Sequence, residues 1–246
     1  MKSSIDNYIA YQEIPVPEEI LTIEIPSWDA AAQPVLDRAL VEYRLNHDAK
    51  ATELTDGMVE QLNLPGIASV SQLKQLGMTT YEKRQKEAHY YYKLLPYILN
   101  YYYINSNILM NSQERDAYVE EYMQQVQGYA EEAGMTVRAY GRQVMGITED
   151  NVREVFEQRA LEDFTFKLLA QDIADRQGLV LDEESYERFI QRNVLENGAD
   201  EIALREELPL KRYQEIYPEM ALSQEWYDYF YPQIRFKINP EVTLPM

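Results

Sequence analysis

The sequence predicts an all-α fold, extended rather than globular, behind a short extended N-terminal segment. Three observations predict it. Nearly everything between residues 27 and 230 reads as capped helical pieces joined by short loops. No βαβ alternation, low-complexity linker or internal repeat of about 20–50 residues interrupts them. A chain with 46% hydrophobic residues and only nine glycines is not disordered.

The elements follow in order. Residues 1–26 form one extended arm, because Pro15 and Pro17 oppose helix while Ile20, Thr22 and Ile23 favour extended backbone. The rest, 27–246, forms one helical domain. Ser27 caps a helix whose regular part starts at Pro34 and runs to about Asn46, with Val35, Leu36, Ala39, Leu40 and Tyr43 as its apolar stripe. Thr55 caps a short helix that ends at Asn63-Leu64-Pro65-Gly66. Ser69 or Ser71 opens the next piece, Gly77 interrupts it, and Thr79 or Thr80 caps a long helix to about Asn105. Pro96 should kink that helix and free the carbonyl of Tyr92. A hairpin of helices spans roughly 112–132 and 136–177, broken at Gly134, with a nested turn at Gly146-Ile147-Thr148-Glu149. Asp182 caps 183–196, and Asn197-Gly198 closes it. The alternation in Ile234-Arg235-Phe236-Lys237-Ile238 fits one short strand.

Composition narrows the function classes. In 246 residues there is no cysteine, which excludes disulfides, thiolate metal sites and cysteine nucleophiles. A net charge of −19 opposes nucleic acid and anionic membrane surfaces, and it keeps a chain soluble while apolar patches are displayed. No stretch approaches the roughly 18 apolar residues of a membrane span, and the start Met1-Lys2-Ser3-Ser4-Ile5-Asp6 has no apolar signal core. A cytoplasmic protein is therefore expected, unless a leader or lipid anchor was removed upstream. His47 and His89 stand alone, without HExxH or an i,i+4 partner, and are read as solvated or packed rather than metal ligands. Neither nucleotide-binding glycine motif nor GxSxG occurs. Glu131-Glu132 and Asp182-Glu183-Glu184 lack calcium-loop spacing and suit helix starts. No enzyme activity and no cofactor are expected. Carboxylate pairs could still meet across facing helices.

What remains is tyrosine, 21 of them beside six phenylalanines. The run from His89 to Tyr103 places aromatic or aliphatic groups on every face of a helix. Burial on most sides is the default reading. The alternative is that Tyr91 and Tyr102 line an open concave surface, since each buried hydroxyl needs a partner. Tyr118, Tyr122, Met123, Val126 and Tyr129 recur at helical spacing, either as a core stripe or as an adaptable client face. On the open-surface reading, the contact residues are Tyr91, Tyr102, Tyr118, Tyr122, Met123 and Tyr129. Residues 74–93 are basic and 114–132 acidic, which suggests complementary helices.

From residue 53 onward the order of elements resembles the C-terminal domain of bacterial trigger factors. Leu54-Thr55-Asp56-Gly57-Met58-Val59 is similar to the family's Leu-Thr-Asp-x-x-Val start. Gly146-Ile147-Thr148-Glu149-Asp150-Asn151-Val152-Arg153 resembles its Gly-x-Thr-Glu-Glu-x-x-Arg, and Ala160, Lys167, Leu168, Leu169, Asp182, Glu183 and Glu184 continue the pattern. Asp163 departs from it, standing where the family tends to have a base. Residues 7–48 resemble the segment before the family's isomerase insertion, which Asp48 to Glu53 bridge directly here. The basic ribosome-docking loop is absent as well. The resemblance implies an elongated helical body with two arms, about 108–178 and 180–238, enclosing a cradle. It further implies an ATP-independent chaperone, a holdase for unfolded or partly folded proteins, without ribosome docking or prolyl isomerisation. A dedicated module for one folded partner, or a homodimer through the same helices, is the alternative.

Overall fold

The computed structural model describes residues 2–244, and helices make up most of them. In chain order the elements are β1 (Ser4–Asp6), α1 (Glu18–Leu21), β2 (Thr22–Ile25), α2 (Trp28–Asn46), α3 (Asp56–Gln61) and α4 (Val70–His89). A π turn (Tyr90–Leu94) leads to α5 (Leu95–Asn105), β3 (Asn107–Leu109), α6 (Ser112–Glu132), α7 (Val137–Gln143) and α8 (Val152–Gln177). Then come α9 (Glu183–Asn197), α10 (Glu201–Glu207), α11 (Leu210–Phe230) and β4 (Arg235–Ile238). The all-α reading holds, with two minimal two-stranded sheets added. No helix among the described residues is long and apolar enough to cross a membrane.

Contacts divide the chain into two compact units. The first combines the residues up to Ile14 with Tyr97–Trp226; the second combines Pro15–Pro96 with the residues from Tyr227 on. The expected single arm, 1–26, is thus shared between units and is not uniformly extended. Pro17 precedes one helical turn, α1, whose Glu18 and Glu19 sit where the helix dipole favours acids.

In the first unit β1 pairs antiparallel with β3, placing Ile5 opposite Ile108. Glu114 fastens the start of the chain, accepting from the backbone N–H of Lys2 at 2.7 Å and of Ser3 at 2.8 Å. Asn111 caps α6, its side chain accepting from the N–H groups of Gln113 and Glu114. Helices α6, α7 and α8 bury Val126, Ile147, Val152 and Phe156 together. Gly141 of α7 permits this approach, because a Cβ there would collide with Cγ1 of Val152. A second cluster, Tyr186, Ile190, Leu208 and Tyr213, joins α9 to α11.

In the second unit α2 crosses α4, and Ala39, Val59 and Leu73 form the shared core. Two expectations fail at this crossing. Gly77 does not interrupt α4; its missing side chain lets the backbone of Ala32 come as close as about 3.1 Å would be to a Cβ. Nor does the regular part of α2 wait for Pro34, since the helix runs from Trp28 and forgoes one hydrogen bond at the proline. Of the bases of α4, Lys74 pairs with Asp29 of α2 at 2.7 Å and Lys86 with Glu82 of its own helix at 3.3 Å. Ahead of Pro96 the helix widens instead of simply kinking, with the Leu95 N–H reaching back to the carbonyl of Tyr90. The expected terminal strand is present as β4, parallel to β2.

Candidate functional site

The residues singled out by sequence fall into three environments. Tyr91 lies in the second unit and Tyr129 in the first, and both rings are more than half exposed. Met123 is half-buried and sits between two grooves on the α6–α8 face. One, of about 470 Å³, is lined by Met123, Val137, Arg138 and Val152. The other, of about 300 Å³, is lined by Met123, Val119, Glu157 and Leu161. Arg153 borders both, held at 2.8 Å by Glu157. A flexible thioether flanked by valines and a paired arginine can adapt to an apolar side chain of varied shape.

Tyr102 corrects the expectation of an open aromatic surface. It is 3% exposed, its hydroxyl donates to the carbonyl of Ile9 at 3.0 Å, and its ring stacks on Trp226 at 5.5 Å. Its face of α5 is core, and the hydroxyl's partner is main chain from the N-terminal segment. Tyr118 and Tyr122 are only half-buried, but burial raises the pKa of both hydroxyls. Tyr118 packs against Phe164 at 5.0 Å and donates to Asp163 at 2.7 Å. These two tyrosines face α8 more than solvent, as an amphipathic helix stripe does when a neighbour covers it.

Asp163 belongs to a carboxylate pair that sequence alone did not show. Burial raises its pKa, opposed by the Tyr118 hydrogen bond and by Lys167. Burial also pushes Glu219 of α11 up to about 7, with Lys167 opposing and Asp163 adding to the shift. Lys167 stands 3.9 Å from Glu219 and lies over the Tyr118 ring. Two carboxylates, a lysine and a tyrosine are the raw material of acid–base chemistry. Neither groove beside Met123 is lined by Asp163 or Glu219, so the cluster reads as a polar insert in the helix packing. Among the described residues no group of three or more histidine, aspartate or glutamate side chains could hold a metal ion.

The second unit holds a tyrosine stack that spacing did not reveal, because its members lie far apart in sequence. Tyr227 stacks on Tyr231 at 4.7 Å and on Tyr91 at 6.3 Å, and Tyr90 meets its edge at 5.0 Å. Lys86 covers the Tyr231 ring. His47 is exposed and His89 is buried. His47 stacks on Tyr43 at 4.8 Å, while Nε2 of His89 lies 2.7 Å from the carbonyl of Ile20 and burial lowers its pKa. Exposed aliphatic side chains are scattered over both units: Val41 and Leu45 on α2, Leu195 on α9, Ile202 on α10. No family model, curated protein or solved structure matches this chain.

Proposed function

We propose that the protein is an ATP-independent binder of non-native polypeptides, a holdase of the trigger factor type, and not an enzyme. The observation that carries this reading is the pairing of dispersed, exposed apolar side chains with a net charge of −19. Single exposed apolar residues are ordinary on any surface. Distributed over separate helices, they supply many weak contacts, and weak contacts sum through multivalency while staying reversible. The charge keeps such a surface from associating with itself. The grooves beside Met123 add concave contacts to these. The sequence resemblance to the helical domain of trigger factors supports the same class. The intended partners are unfolded or partly folded chains, with neither nucleic acid nor ribosome among them.

Light scattering of a denatured model protein, diluted into buffer with and without the full chain and without nucleotide, tests this. Suppression at stoichiometric ratios is expected. Met123→Glu should weaken it, because a carboxylate would occupy the space between the two grooves. No suppression by a folded chain removes the holdase reading. The convergence of two grooves on one side chain favours a second reading, a module for a single folded partner. Strict partner choice in pull-down, without suppression of aggregation, would select it.

A further inference from the structure

The parallel pairing of β2 with β4 commits only half of β2's peptide groups. Ile23 pairs with Phe236 and Ile25 with Ile238, and the Asn239 N–H donates to the Ile25 carbonyl at 2.8 Å. In a parallel ladder this register turns the peptide groups of Ile23 and Ile25 toward β4. The N–H and carbonyl of Glu24 and the carbonyl of Thr22 therefore face the opposite edge. No strand pairs there among the described residues. An open strand edge is a template for another extended chain.

A cavity of about 430 Å³ runs along this edge. Its walls include Thr22, Ile23 and Glu24 on one side and His89, Tyr92 and Lys93, from the end of α4 and the π turn, on the other. Neighbouring strand residues point their side chains to opposite faces. A cavity touching all three consecutive residues thus lies at the edge, not over a face. His89 fixes the two walls, with Nε2 2.7 Å from the carbonyl of Ile20, just ahead of β2. Tyr92 is 74% exposed and offers its ring to whatever lies in the cleft.

Charge narrows the occupant. The Glu24 carboxylate is satisfied by the Asn239 amide at 2.8 Å and by Lys237 at 3.3 Å. Lys93 is exposed and makes no ion pair among the described residues. The cleft's uncompensated charge is therefore positive, within a chain of net charge −19. We propose that this edge is a strand-addition site. An extended polypeptide segment with a central acidic residue pairs its backbone with Glu24 and the Thr22 carbonyl, and its carboxylate meets Lys93. A helical segment has no free main-chain groups to offer there. The inference rests on the reading that the protein binds other polypeptides, and it adds where, and in what conformation, a segment enters.

The test uses the full chain and fluorescein-labelled nine-residue peptides of alternating threonine and valine with one central glutamate, followed by anisotropy. The glutamate peptide should bind saturably, and a central lysine should weaken it about tenfold. Of two isomers N-methylated at alternate residues, one should bind like the parent. The other should lose binding, because only one set of amides faces β2. Lys93→Glu, at an exposed position that leaves the fold intact by circular dichroism, should reverse the glutamate–lysine preference. Equal binding of both methylated isomers, or binding of no peptide, overturns the strand-addition site. Peptide binding without suppression of aggregation overturns the holdase reading alone; suppression without peptide binding overturns the strand-addition site alone.

Discussion

The two units use the same residue type in different ways. In the first, buried and half-buried tyrosines give their hydroxyls to specific acceptors: Tyr8 to Asp172, Tyr102 to the carbonyl of Ile9, Tyr118 to Asp163, and Tyr186 to the carbonyl of Leu208. In the second, rings meet rings. Tyr90, Tyr91, Tyr227 and Tyr231 stack, and the buried hydroxyls of Tyr81 and Tyr90 find no hydrogen-bond partner. Tyr43 donates to Gln61 at 3.1 Å, and the side chains of Tyr227 and Tyr231 hydrogen-bond each other. The first region is marked by hydroxyls fastened to acceptors on other segments, the second by packed rings two of whose neighbouring buried hydroxyls have no partner. A partnered hydroxyl fixes one geometry, whereas a stack of plates tolerates small shifts.

Substitutions can break or sharpen that contrast. The largest effect is expected from Trp226→Ala, which removes a fully buried ring stacked on Tyr102 and tilted against Phe166. A loss of about 3–5 kcal/mol in urea unfolding is expected from the cavity it leaves. A smaller value would mean that the tyrosine hydroxyls, not the rings, hold the first unit.

Next comes pH. The folded-state pKa of Glu219, about 7, stands above its ordinary 4.5. The fold prefers the protonated carboxyl, so no penalty applies below about pH 4.5, and one develops as pH rises toward 7. The expected loss is on the order of 2–3 kcal/mol, with Asp163 acting in the same direction. Unfolding curves at pH 4.5 and pH 8 should show this difference, and Glu219→Gln should flatten it. An unchanged slope in the variant would place the titration elsewhere.

Tyr118→Phe leaves the half-buried Asp163 without its tyrosine donor and should cost about 2 kcal/mol at neutral pH. The finest test pairs two hydroxyl deletions of opposite expected sign. Tyr102→Phe orphans the Ile9 carbonyl and should destabilise by about 1 kcal/mol. Tyr90→Phe removes a buried hydroxyl that has no partner, so stability should hold or rise by up to about 1 kcal/mol. Equal losses in both would erase the distinction between the two units.

Much of the fold is legible in the sequence. Ser27, Thr55, Ser69 and Asp182 each accept the backbone hydrogen bond expected of a cap, because capping is a local matter of side-chain reach. Gly77 was misleading for the opposite reason. A glycine in a helical pattern is weak locally, and only the presence of α2 against it explains why it is there. The candidate site was less legible. Spacing placed Tyr118, Tyr122 and Met123 on one stripe, but Met123 alone of these three lines the grooves, because α8 takes up much of the two rings. Asp163 and Glu219 lie on different helices, and no window along the chain contains both.

By itself, then, the sequence determined most helix positions between residues 27 and 197, the caps at Ser27, Thr55, Ser69 and Asp182, the terminal strand and the net acidic charge, since these rest on local propensity, short-range hydrogen bonds and summed charge. Tertiary structure decided which tyrosines are fasteners, where the two carboxylates meet, and that β2 pairs with β4 while leaving one edge open. Each of those depends on residues brought together from distant parts of the chain. Burial, the main cause of the pKa shifts, exists only once that packing has formed.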